Sequence, residues 1–381
     1  MITKRLIFML AAGLPSLPRV TWLPIIGIAR KTNNFLFNIE QTVRMASAMG
    51  FTKNPAAMVF GWTNYPNGIA SHGAPVIDTG LFSPFGDVYF TDSGHGNKSD
   101  NNAGTRPTAP TATINGAYDK ATASQGDVVL VAAGHAETVA SATTLAMDTV
   151  GVKVVGLGRG ADRPTLTFSA TGSNIPVSAA SNVLSNFLLT ITGTVDVVAG
   201  ITVSAAGVHL DRIEQREPAA TSQWTDAIVG TTCDQLEISN YKFAGLVAGD
   251  ATQAAISVTG TPAEIHLHNL FIVGEFVAGG IDISGVATDI HVEDITIEQR
   301  HSSTDACVTV AATTTGFLKN CYLRSATNDD SGLTAIVTAG NDLQMYNVHM
   351  VNANGEHAAT GEVSDLDVTN TRSGKTFSTI A

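Results

Sequence analysis

Over its carboxyl-terminal half the chain repeats one phrase: apolar and polar residues alternate, an Asn or Asp intervenes, and the alternation resumes. The clearest copies are Ile265-His-Leu-His-Asn-Leu-Phe-Ile272 and Ile290-His-Val-Glu-Asp-Ile-Thr-Ile297. Period-two alternation sends one set of side chains inward and the other outward. Aligning the interrupting residue gives the column Asn186, Arg212 (a departure), Asn240, Asn269, Asp294, Asn320, Asn347 and Asn370. The steps are 26, 28, 29, 25, 26, 27 and 23 residues. A second short alternating strand precedes most copies: Ile201–Val203, Ile256–Val258, Ile281–Ile283, Val308–Val310 and Ala335–Val337. Two strands per period, repeated without helical spacing, predict a solenoid. The fold class expected is all-β, a right-handed parallel β-helix.

Composition supports stacked coils. Only 14% of the 381 residues are charged, and Ala, Thr, Val, Gly and Ser crowd the sequence. Branched residues suit strands and small ones suit tight corners. The net charge of −12 argues against a nucleic-acid partner, because phosphate recognition needs a cationic surface. Cys233, Cys307 and Cys321 form neither a CxxC pair nor a finger-like set with His, so no disulfide framework is expected. Cys321 falls on an inward position, where a thiol behaves as a small apolar group. This usage suits assembly in a reducing cytosol.

The amino-terminal stretch reads differently. Met1–Arg5 followed by the apolar Leu6–Leu14 resembles a signal peptide, but Pro15 and Pro18 occupy the cleavage region, and the segment is expected to be retained. Nine apolar residues are too few to cross a bilayer, so no membrane association is expected. Apolar clusters at Trp22, Phe35–Phe37 and Met58–Trp62 alternate with Pro and Gly, and Ile39–Met49 has the spacing of a short helix. Such an arm must cover its apolar surface with something. The expected domains are an extended arm over 1–86, a cap over 87–138, a β-helix over 139–372 and a tail over 373–381.

The cap region contains a strand at Asp87–Asp92, a polar Gly/Asn/Asp loop at Ser93–Gly104 and a helix over Thr111–Ala123. Gly126-Asp-Val-Val-Leu-Val-Ala-Ala-Gly134 then reads as a buried strand ending in a turn. From Tyr89 to about Glu137 this order resembles the start of pectin-lyase-like β-helices, and it is similar to versions in phage tailspikes and other virion proteins. The resemblance implies a helix that plugs the open end of the first coil. It says nothing of chemistry, since that superfamily holds lyases, hydrolases and inert structural members. The oxygen-rich loop with Asp92, Asn97, Asp100 and Asn101 lacks the spacing of a calcium loop and reads as an ordinary cap loop.

The interrupting Asn/Asp column reads as structural, because these residues bond local backbone and tolerate unusual φ. Candidate chemistry sits on two outward columns. One reads His209, Glu237, His266, His291, Phe317, Gln344, Asp367; the other reads Asp211, Ser239, His268, Glu293, Lys319, Tyr346, Thr369. Coils about 4.8 Å apart would gather His209, Glu237, His266, His268, His291 and Glu293 into one patch. Histidine beside carboxylate can hold a divalent metal or transfer protons, and a solvated polar face would look the same. No cofactor or metal motif is present, and none is expected. No cluster of carboxylates with Lys or Arg marks a polysaccharide lyase or glycosidase; Arg216 and Glu298 share a column three coils apart. The aromatic residues Phe271, Phe276, Phe317, Tyr322 and Tyr346 trace no outward line.

The function expected from these readings leans away from an enzyme. It is a virion structural protein, a capsid decoration or head-fibre subunit assembled in the host cytoplasm. Residues 1–86 would anchor it to capsid or other virion proteins, and it would form a homo-oligomer, with a trimer the resemblance's usual form. The alternatives are a tailspike-like polysaccharide lyase, hydrolase or receptor binder using the His/Glu face, and a secreted β-helix adhesin.

Overall fold

The computed structural model describes residues 70–71, 74–75, 86–219, 221–245, 252–300, 306–311, 313–325, 337–339, 342–351, 357–359, 364–366, 369–372 and 375–376. The chain divides into Met1–Ile69 and Ala70–Ala381, and every described residue belongs to the second unit. The expected helix at Ile39–Met49 and nearly all of the arm lie outside the described residues. Of the arm, Ala70–Ser71 and Ala74–Pro75 pair as a short antiparallel hairpin.

The remaining strands stack as a parallel β-solenoid with two principal sheets, one of 18 strands and one of 8 among the described residues. Alternation decides what faces in. On the larger sheet one inward column passes in register through Tyr89, Val129, Val154, Leu184, Leu210, Ile238, Leu267, Val292, Leu318 and Met345. On the smaller sheet Ile175, Ile201, Ile228, Ile256 and Ile281 stack on one another, followed by Val308. All of these are buried. Each contributes roughly 1.5–3 kcal/mol of apolar transfer, so the two columns form the spine of the core. Trp224 fills the space between sheets and meets Phe168 edge to face at 4.8 Å.

The early coils turn the corner between separate short strands, such as Val183–Ser185 and Leu188–Ile191. Later coils use single bent strands: Ala263–Gly274, Thr288–Gln299, Thr315–Ser325 and Asp342–Val351. The bend sits at the interrupting residue. Asn186, Arg212, Asn240, Asn269, Asp294, Asn320 and Asn347 all have φ between +50° and +68°, the left-handed region that Asn and Asp tolerate best. The side chains also reach along the stack. Asn347 Nδ2 donates to Asn320 Oδ1 at 3.0 Å, and Asn320 Nδ2 donates to Asp294 Oδ1 at 2.9 Å. At the departure, the Arg212 guanidinium donates to Asp211 at 2.7 Å and to Ser185, while Asp211 accepts from Asn240 at 2.8 Å. A neighbouring carboxylate thus supplies the acceptor that Arg212 lacks.

Three expectations need correction in the later coils. Asn370 pairs with Met350 and so leaves the Asn column, because the last coil advances 20 residues, as Gln344↔Ser364 and His349↔Thr369 show. In register with Gln344 and Tyr346 stand Ser364 and Leu366, not Asp367 and Thr369. The strand expected at Ala335–Val337 is Val337–Ala339, which puts Val337 in register with Val308 and Thr338 with Thr309. Lys375–Thr376, inside the expected tail, pairs antiparallel with Thr371–Arg372 and covers the last parallel edge.

At the amino-terminal end the helix is Ile114–Tyr118, shorter than expected. Thr111 is already committed to pairing with Thr91, and Thr113 caps the helix by accepting the Gly116 N–H at 3.0 Å. Beyond Tyr118 the chain tightens, and Asp127 takes the Thr122 N–H at 2.7 Å. Ile114, Ala117 and Tyr118 are buried against the core. Glu137 accepts the Ile114 N–H at 2.9 Å and meets the buried His135 at 3.1 Å, and His135 accepts the Ser93 N–H. The loop carboxylates are spoken for: Asp100 accepts from Ala112 and Thr113, and Asp92 from Gly94. Val88–Thr91 and Val128–Val131 belong to the same sheet as the coils that follow, so pairing runs through the expected 138/139 boundary without a break.

Candidate functional site

The outer face of the larger sheet brings the six candidate residues into one neighbourhood. His209, Glu237, His266, His291, Phe317 and Gln344 occupy one register column, and Asp211, Ser239, His268, Glu293, Lys319 and Tyr346 the next. They point outward because Leu210, Ile238, Leu267, Val292 and Leu318 between the columns point in.

Contacts run diagonally across the columns. His268 Nε2 lies 3.0 Å from Glu237 Oε1, and His209 Nε2 lies 3.6 Å from the same oxygen. His209 is oriented by Ser239 Oγ at 2.8 Å. On the other diagonal His266 Nε2 is 3.9 Å from Glu293 Oε1, and Lys319 Nζ is 3.4 Å from Glu293 Oε2. His291 meets Asp289 at 3.0 Å. Partial burial, reinforced by the His268 imidazole, holds His266 below the usual histidine range against the pull of Glu237 and Glu293. Below the patch, burial works to raise the Asp211 carboxyl, but hydrogen bonds from Asn240, Ser185 and Ser239 and the Arg212 charge hold it below its ordinary value.

Of the five aromatics, only Phe317 and Tyr346 meet on this face, but with three imidazoles they complete an outward line of rings. His268 and His266 lie 4.5 Å apart, His266 and His291 5.8 Å, His291 and Phe317 4.4 Å in a stacked pair, and Phe317 and Tyr346 6.4 Å. Five rings cross four coils. Aromatic spacing alone conceals the line, because three of its members are imidazoles and it shifts from one column to the other. A second outward pair, Tyr322 stacked on His349 at 5.4 Å, follows the corner, with the exposed Phe271 two coils before Tyr322 in the same column.

Arg216 and Glu298 are indeed apart, and each has closer partners. Glu214 gathers Arg163, Arg216 at 2.6 Å and Lys242 at 3.5 Å, while Glu298 holds Arg300 at 3.1 Å and Arg324 at 3.7 Å. Burial works to raise the Glu214 carboxyl, and the surrounding cations bring it below its ordinary range. Cys233, Cys307 and Cys321 are free and buried; desolvation pushes their thiols up to about 11, 12 and 12.

The sequence matches no family profile. It is similar to no curated protein. Solved structures similar to the chain include sacteLam55A from Streptomyces sp. SirexAA-E, at 14% identity and TM-score 0.47, covering 69% of this chain and 51% of that one. A rhamnogalacturonan lyase is 11% identical with TM-score 0.36, over 70% of this chain and 74% of its own. The A-module of the mannuronan C-5 epimerase AlgE6 of Azotobacter vinelandii is 11% identical with TM-score 0.30, over 68% and 94%. The chain spans about half the length of sacteLam55A. The virion link suggested by the amino-terminal motif has no support in these neighbours. The β-solenoid architecture of this chain stands on its own parallel coils.

Proposed function

We propose that the protein binds a polysaccharide along the outer face of the larger sheet and cleaves it there. The observation that carries this reading is the ring ladder from His268 through His266, His291 and Phe317 to Tyr346. Coils rise about 4.8 Å, close to the repeat of a sugar unit in an extended glycan, so successive rings can meet successive sugars. The packed rings make a continuous strip against which sugar C–H groups can pack, and the polar groups beside them fix orientation. Glu293, between His266 and Lys319, is the carboxylate beside the middle of the ladder and carries the proton transfer of cleavage. The virion-subunit reading rests on residues 1–86 and on the amino-terminal motif, and no feature of this face favours it.

The test is a panel of neutral and acidic polysaccharides, with affinity electrophoresis for binding. Reducing-end release reads hydrolysis, and ultraviolet absorbance of unsaturated ends reads a lyase. The expected result is a ligand whose affinity drops about tenfold in Phe317→Ala, and whose turnover drops about 100-fold in Glu293→Gln with binding retained. Binding without any product would reduce the reading to receptor recognition. Binding to no member of the panel would sink it.

A further inference from the structure

We propose that Glu237, His266 and His268 hold a divalent transition-metal ion, with zinc the natural occupant. His266 and His268 stand two apart on one strand and so project from the same face, and Glu237 sits beside His266 on the neighbouring strand. One ligand atom from each lies within 4.8 Å of the others. Tetrahedral donors at the usual zinc distances are about 3.3 Å apart. The Glu237–His268 contact of 3.0 Å already falls inside that spacing. Closing the rest takes rotation of side chains that are 24% to 42% exposed, with no movement of the backbone.

The donor set argues for the class of metal. Two imidazoles and one carboxylate suit zinc and its neighbours, whereas calcium and magnesium prefer an all-oxygen shell. Neighbouring coils do not reproduce the set: the equivalent pairs are Glu237/Ser239, His291/Glu293 and Phe317/Lys319. Among the described residues this is the one group of three such side chains with ligand atoms in mutual reach. The outer support is also built. His209 approaches the Glu237 oxygen at 3.6 Å from the preceding coil and is itself bonded to Ser239. Three protein ligands leave the solvent side of the ion open for water or a sugar oxygen.

The site stands independently of the glycan reading, since it is tested with metal alone. The full chain, stripped with chelator, is titrated with Zn2+ by calorimetry, and with Co2+ by visible absorption. One ion per chain is expected, with affinity lowered about 100-fold or more in His266→Ala and in His268→Ala, and about tenfold in Glu237→Gln. His95→Ala, in the distant cap loop, should bind like the parent. Saturable binding that survives both histidine variants, or no saturable binding, would overturn the proposal. Should a variant lose its β-sheet circular dichroism, X-ray absorption of the zinc-loaded parent decides. Two imidazole nitrogens at about 2.0 Å are expected, and an all-oxygen shell would refute the site.

Discussion

The two sheets of the solenoid obey the same coil geometry yet carry different outward chemistry. On the smaller sheet the corresponding register column is Pro176, Thr202, Val229, the buried Ser257, Asp282 and Thr309. Thr and Val, which strands favour, stand here with small or polar residues, and no aromatic or imidazole ring is among them. On the larger sheet the same coils present His209, Glu237, His266, His291 and Phe317. Register demands only that outward residues tolerate water. It does not demand imidazoles, yet His266, His268 and His291 stand together on one face.

The sharpest way to test that contrast is to compare adjacent residues on one strand. Leu267→Ala should destabilise the protein by about 3 kcal/mol, as for other buried Leu truncations. His266→Ala, one residue away and facing out, should cost no more than about 0.5 kcal/mol in the same urea melt. Equal losses would make the ring face a structural element. Next in size is binding: Phe317→Ala should weaken the glycan identified by the panel by about 1.4 kcal/mol, a factor of ten. Thr202→Ala and Thr309→Ala on the other sheet should leave that affinity within about twofold.

The smaller sheet carries a half-buried carboxyl of its own. Burial, and then the Asp282 charge, push the Asp226 carboxyl up to about 6. Between the ordinary value of 3.8 and about 6 the folded chain keeps a proton that the unfolded chain has lost. Stability from that proton is full below the lower value and is lost as pH rises through the upper one. Asp226→Asn should therefore raise stability at pH 7.5 by on the order of 1 kcal/mol after allowance for solvent screening, with no gain at pH 3.5. A gain that ignores pH would assign the effect to packing instead.

The smallest effect concerns a second corner. Ser181, Gly207 and Gln235 stand two residues before their strands, Glu264 and Asp289 are the second residues of theirs, and all lie at φ between +57° and +67°. Ser181→Gly should stabilise by about 0.5–1 kcal/mol, because glycine carries no left-handed penalty at a φ of +60°. The Asn corner should show no such gain, since Asn320→Gly also removes the bond to Asp294.

These corners explain what could be read from sequence and what could not. The column from Asn186 to Asn347 was legible because one residue type answers one backbone demand, and the inward alternation around it is strict. The second corner was illegible because Ser, Gly, Gln, Glu and Asp meet the same demand with no common side chain. The last coil was misaligned because its shortened advance keeps an Asn that no longer falls on the ladder. The patch of His209, Glu237, His266, His268, His291 and Glu293 followed from column arithmetic. The ring line and the diagonal His–Glu pairing did not, since both depend on rotamers that lean across columns.

The repeated corners also bear on how such a chain can change length. Glu264 and Asp289 are equivalent positions one coil apart, with φ of +58° and +59°. An in-frame duplication of residues 264–288 would therefore join like to like. Each copied strand would meet the register already present, and no connection would need a new shape. The product would be longer by one rise of about 4.8 Å and would carry a second His-x-His step on its outer face. The length of that face is thus a matter of coil number, adjustable in single repeats while the rest of the molecule stays as it is.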